Sequence, residues 1–143
     1  MIEPARDSHV YEIVQRLREH DKAAFASVDD PARVLIDELR QSTRAYVYLL
    51  DGEVLCLWAM RARTLLLDAV YLWMIASPLI DRHPVVFVRR SKTLLRELLE
   101  EYGAIEGHVW CANDLSIRWL KWLGARFEPS PLDGVLAVRL GRT

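Results

Sequence analysis

The dipeptide Asp51-Gly52 constrains this chain more than any other feature of its sequence. It separates Ala45-Tyr46-Val47-Tyr48-Leu49-Leu50 from Glu53-Val54-Leu55-Cys56-Leu57-Trp58-Ala59-Met60, two runs rich in the branched and aromatic side chains that suit a pleated surface. Asp-Gly tolerates positive φ at both central positions of a tight turn, and that turn has the twist needed to join adjacent antiparallel strands. The sequence therefore predicts a β-hairpin at its centre. A third run, Ala69 to Ala76, is apolar on both faces, as a strand in the middle of a doubly covered sheet should be, and it ends at Ser77-Pro78.

Helical periodicity fills the flanks. Ser8 is positioned to cap a helix reaching about His20, with Val10, Ile13, Val14 and Leu17 on one side. A second helix starts at Asp30-Pro31 and ends by Gln41-Ser42-Thr43. From Pro84, an amphipathic pattern carries Phe87, Leu94, Leu95, Leu98, Leu99 and Tyr102 to a stop at Gly103. After it come a strand over Gly107 to Cys111, a capping Asn113, a helix over Asp114 to Leu123 closed by Gly124, and strands at Arg126 to Glu128 and Gly134 to Leu140 around a proline-rich turn. The order is helix, helix, hairpin, strand, long helix, strand, helix, hairpin. With 143 residues and no linker, repeat or charge block, it predicts a single domain over residues 1–143.

Several function classes are disfavoured at this level. A formal charge of −1 lacks the basic excess of a phosphate-tracking surface, so nucleic acid is not an expected partner. The N-terminal residues lack the pattern of a secretion signal, and Asp68, Ser77 and Pro78 interrupt the most apolar stretch before it could cross a membrane. His9, His20, His83 and His108 form no metal-ligand spacing with Cys56 or Cys111, and they read as surface or packing residues. Both cysteines sit in strand-like runs and read as buried thiols. Trp58, Trp73, Trp110, Trp119 and Trp122 read as core and sheet-covering residues. Trp119 and Trp122 stand three apart on a helix and cannot both enter one core, so an exposed one would suit an interface.

The stretch Val109-Trp110-Cys111-Ala112-Asn113-Asp114-Leu115-Ser116-Ile117-Arg118-Trp119-Leu120-Lys121-Trp122-Leu123-Gly124-Ala125-Arg126-Phe127 resembles the strand, Asn cap, short helix and Gly-Ala-x-Phe ending of GNAT N-acetyltransferases. Within that fold it is similar to the internal virion protein A family of short-tailed phages. This resemblance implies an α/β (α+β) fold with a mixed, mostly antiparallel central sheet and helices on both faces. It also implies a virion-associated or particle-assembly role, phage proteins as partners, and residence in the host cytoplasm or the virion.

Family enzymes bind the pyrophosphate of acetyl-CoA in a glycine-rich loop at the start of the long helix, where a bare backbone approaches phosphate closely. The corresponding stretch here, Arg82 to Leu94, has no glycine. Leu120 occupies the position of the family tyrosine that protonates the departing thiolate. No glutamate lies between Ala69 and Ala76, where Tyr71 is the sole titratable side chain. The leading expectation is thus a GNAT-shaped protein without standard acetyl-CoA chemistry and with no cofactor. The alternative is an acyl-CoA-dependent N-acyltransferase that uses Arg89, Arg90 and strands splayed near Ile75 and Cys111 to hold acetyl-CoA in an atypical pose, with Ile75, Arg89, Arg90, Ser91 and Asn113 as its cofactor contacts. A third expectation is a small interaction protein that binds a host factor.

Overall fold

The central turn forms as its dipeptide demands, with φ of 51° at Asp51 and 81° at Gly52. It joins β2 (Arg44–Leu50) to β3 (Glu53–Ala62) in the computed structural model, which describes residues 2–17, 22, 25, 28–62, 69–111 and 113–141; the side chains of Trp110 and Leu115 lie outside that description. The strands pair antiparallel, with one shift between Tyr48 and Leu49 that leaves Leu55 as an extra residue on β3. Ser77 holds this bulge. Its backbone N–H donates to the Leu55 carbonyl at 2.9 Å, and its buried hydroxyl donates to the Val54 carbonyl at 2.7 Å. From α1 (Asp7–Val14), the Glu12 carboxylate accepts the Val54 N–H at 2.7 Å.

Seven strands form one sheet in the order β1-β2-β3-β4-β5-β7-β6. The remaining strands are β1 (Ile2–Pro4), β4 (Val70–Ala76), β5 (Ala104–Trp110), β6 (Arg126–Pro129) and β7 (Val135–Gly141). The β4–β5 pair is parallel; the β1–β2, β2–β3, β5–β7 and β6–β7 pairs are antiparallel. The mixed, mostly antiparallel sheet expected from the sequence is the one observed. β1 was not expected. Three residues carry too little periodicity to register, and this strand exists through its pairing of Ile2, Glu3 and Pro4 with Tyr48, Val47 and Tyr46.

The chain divides into two compact units, one of Met1–Arg61 with Trp73–Lys92 and the other of Ala62–Leu72 with Thr93–Thr143. In the first, α1 and α2 (Pro31–Gln41) cover one face of the sheet. Val10, Ile13, Leu35 and Ile36 pack there with Val47, Val54, Leu57 and Ile75. On β3, Trp58 alternates with Leu57 and so takes the opposite face, where its ring stacks on Phe87 with centroids 6.4 Å apart. Phe87 belongs to α4 (Pro84–Tyr102), so β3 is covered from both sides. That explains why Val54 through Met60 are all buried instead of alternating.

Helix ends follow the sequence closely, with two exceptions. Asp30 caps α2 by accepting the Arg33 N–H at 3.2 Å, with Pro31 in the first turn. Gly103, at φ 84°, ends α4 and donates its N–H to the Leu99 carbonyl at 2.9 Å. The expected Ser8 cap is corrected: Arg6 holds the cap position, two residues earlier, and the ring of His9 accepts the Arg6 N–H through Nδ1 at 3.0 Å. Its expected reach to about His20 is corrected too: α1 ends at Val14 with Gln15 as its C-terminal cap, and residues 15–17 lie beyond the helix, while residues 18–20 lie outside the described residues. A short α3 (Leu79–Arg82) also intervenes before α4, nucleated by the Ser77 carbonyl and hydroxyl, which accept the N–H groups of Ile80 and Leu79, both at 3.3 Å.

In the second unit, β5 lies between β4 and β7. Ile105, Val109, Val138 and Leu140 are buried and share one face by alternation. Gly107 lies where the β4 backbone comes closest: a Cβ there would stand 2.9 Å from the Leu72 carbonyl oxygen. The last helix, α5 (Asp114–Trp122), is capped by the Asn113 carboxamide, which accepts the Ser116 N–H at 3.2 Å. Trp119 is half-buried on this helix, whereas Trp122 is 62% exposed, so core packing does not hold for both tryptophans.

Candidate functional site

Parallel pairing of β4 with β5 sets Tyr71 opposite Glu106, and alternation places His108 two residues further along on the same face. The two side chains meet: the Tyr71 hydroxyl and His108 Nδ1 lie 2.9 Å apart, with ring centroids 5.6 Å apart and tilted by 50°. His108 is exposed, and its Nε2 makes no hydrogen bond among the described residues. An imidazole fixed at one nitrogen and open at the other is a proton acceptor of defined direction. When Nδ1–H donates to the Tyr71 oxygen, the tautomer leaves the Nε2 lone pair free.

The sequence placed Tyr71 correctly as the titratable residue of its strand but gave it no partner, and it assigned His108 to surface or packing. The signal that unites them is strand adjacency. Once β4 and β5 are neighbours in parallel, positions 71 and 108 become diagonal neighbours on one face.

The cofactor contacts proposed from sequence have definite places. Ile75 is 4% exposed and belongs to the core under α1 and α2. Ser91 is fully buried on α4, and its hydroxyl donates to the Phe87 carbonyl at 2.7 Å, within its own helix. Arg90 is exposed and holds its guanidinium over the Tyr48 ring, 5.4 Å from the centroid. Arg89, also exposed, follows Val88 on the same helix. Asn113 is occupied as the α5 cap. Arg89, Arg90 and Ser91 are thus consecutive on α4, Ile75 lies in the core of the same unit, and Asn113 belongs to the other. Replacing Asn113 with alanine is expected to cost about 1 kcal/mol in a denaturant melt, with serine or aspartate restoring most of it.

The start of α4 offers other polar groups. Pro84 has no N–H, and the N–H groups of Val85 and Val86 find no acceptor among the described residues. Arg82, exposed on α3, borders a cleft of about 370 Å³ together with Arg16, Lys22, Glu53, Ser77 and Leu79. Two open amides and Arg82, on the preceding helix, fit an anionic diphosphate by charge, in place of a glycine-lined cradle, whereas Arg16 is paired with Glu53 at 3.2 Å.

The cysteines divide. Cys56 is 2% exposed, and burial pushes its thiol up from 9.0 to about 12, against a smaller opposing effect of the Trp58 N–H on its sulfur. Cys111 is exposed in the turn after β5, which corrects its reading as a buried thiol; the strand ends one residue sooner than expected. Native protein at pH 8 should therefore react with one equivalent of a thiol reagent, and unfolded protein with two. Because the Cys56 thiol ionises more readily in the unfolded chain, its contribution to stability is intact below pH 9.0 and declines as the pH rises towards about 12.

Among the described residues there is no group of three potential metal ligands, and no helix is long and apolar enough to cross a membrane. No family model matches the sequence, and no curated protein sequence does. Solved structures do match. The ribosomal-protein-alanine N-acetyltransferase of Brucella melitensis superposes with a TM-score of 0.67 at 12% identity, covering 99% of both chains. The GNAT domain of PAT from S. lividans gives 0.68 at 14% identity, covering 99% of this chain and 89% of that one. The PaiA N-acetyltransferase of Thermoplasma acidophilum, solved in complex with coenzyme A, gives 0.69 at 9% identity, covering 99% and 98%. Identities this low show the fold, which is GNAT-like, and nothing finer.

Proposed function

We propose that this chain is an acyl-CoA-dependent N-acyltransferase in which His108, oriented by Tyr71, takes the proton from the acceptor amine. The observation that carries the reading is the 2.9 Å contact between these two side chains on adjacent parallel strands, in a fold shared with N-acetyltransferases. The acyl-CoA, when bound, supplies a thioester carbonyl and a thiolate leaving group. His108 Nε2 removes the proton that an amine must lose to become nucleophilic, and the Tyr71 oxygen accepts from Nδ1–H throughout, so the ring keeps one orientation in both charge states. A proton held on Nε2 is then available to the departing sulfur, a role for which Leu120 has no group.

Calorimetric titration with acetyl-CoA tests the reading, supported by melting temperature and by release of free thiol in the presence of amines. Saturable heat with a raised melting temperature is expected, since a ligand that binds only the folded state stabilises it by mass action. The absence of heat and shift at millimolar acetyl-CoA would defeat it.

A second reading is a non-catalytic GNAT-like protein with a particle-assembly role in a phage, or one that binds a host factor. The exposed Trp122 favours a protein partner, because tryptophan is a frequent anchor of interfaces. Its signature would be loss of partner capture in a Trp122→Ala variant, with acetyl-CoA inert.

A further inference from the structure

The register of the second unit extends the Tyr71–His108 contact into a patterned face. β5 pairs with β7 and β7 with β6, so His108, Ala137 and Glu128 fall in one row across three strands. The neighbouring row runs Tyr71, Glu106, Arg139 and Arg126 across four. Alternation puts both rows on one side of the sheet, opposite the buried Ile105, Val109, Val138 and Leu140.

The charges on this face are not equivalent. Arg139 pairs with Glu106 at 3.4 Å, so each answers the other. Arg126 donates to the Gly141 carbonyl at 3.0 Å, which draws its guanidinium towards the far end of β7. Glu128 is exposed and has no ion pair or hydrogen bond among the described residues. In that row Ala137 stands between it and His108. The row therefore has an open proton acceptor at one end, an open carboxylate at the other, and the small side chain of Ala137 between them.

Resting on the acyltransferase reading, we infer that the acceptor is a primary amine bearing a second cationic group, with its reactive nitrogen at His108 Nε2 and its second charge on Glu128 across Ala137. Two strand spacings put the two backbones about 10 Å apart. An extended five-carbon diamine suits that span once each end stands a hydrogen bond from its partner. A monoamine of the same length with its nitrogen at His108 leaves Glu128 without a counter-ion.

Cadaverine and n-pentylamine are the matched probes, followed through the ring proton resonances of His108 in the intact protein. Cadaverine is expected to shift them saturably and to bind about fivefold more tightly than n-pentylamine, the size of effect an exposed ion pair gives, with the difference shrinking at high salt. Glu128→Gln should reduce cadaverine to the n-pentylamine level and leave n-pentylamine unchanged. Equal binding of the two amines, an unchanged preference in Glu128→Gln, or no binding of either would overturn the inference. Failure of the acyltransferase reading looks different: the diamine preference persists in the resonances, yet no amine releases thiol from acetyl-CoA. If turnover occurs, Glu128→Gln should raise KM for cadaverine without lowering kcat, as loss of binding common to ground and transition states requires.

Discussion

Replacing His108 with alanine is expected to lower kcat/KM for acyl transfer by about 10²- to 10⁴-fold, the usual contribution of a positioned general base. The fall should appear in kcat, as expected of a group that acts on the amine proton and not on acetyl-CoA, and calorimetry should find acetyl-CoA affinity unchanged. Tyr71→Phe keeps the ring and removes the oxygen at 2.9 Å, so His108 would lose its fixed tautomer while remaining able to accept a proton. A loss of roughly tenfold follows, well short of that in His108→Ala. Equal activity of wild type and His108→Ala, at every pH, would remove this histidine from the chemistry.

The largest effect on stability is expected at Gly141. This residue ends β7 with φ of 90°, and a Cβ there would stand 2.5 Å from the Gly103 carbonyl oxygen and 2.6 Å from a methyl of Leu99. Leu99 could turn aside, but the carbonyl belongs to the turn that ends α4. Left-handed backbone strain alone costs about 1–3 kcal/mol for a side-chain-bearing residue, and the backbone clash adds to it. Gly141→Val should therefore lose at least about 3 kcal/mol, near 10 °C in melting temperature for a chain of this size, or fail to fold. Gly52→Ala is the control. It shares the positive φ but meets nothing within 4 Å, so its cost should stay near 1 kcal/mol.

Local rules account for what the sequence made legible. Asp51-Gly52 has one favoured use between strand-like runs, and the long helix runs from Pro84 to the residue before Gly103 because proline and glycine punctuate it. Asn113 was legible as a cap for the same reason. What escaped notice depends on partners distant in the chain. β1 exists through Tyr46, Val47 and Tyr48, and Cys111 is exposed because β5 stops at Trp110. The Tyr71–His108 pair and the row from His108 to Glu128 require knowing which strands adjoin and in which register. That is long-range information, and no window along the chain contains it.

Both ends of the sheet are short strands that include a proline, Pro4 in β1 and Pro129 in β6. A proline has no N–H to offer an incoming strand, and Glu3, Arg126 and Glu128 add charge along the same borders. A polymer of these molecules stacked border to border would have to form with gaps in its hydrogen-bond ladder and with charges brought close together. Concentrated solutions of the folded chain should therefore resist fibre growth by this route.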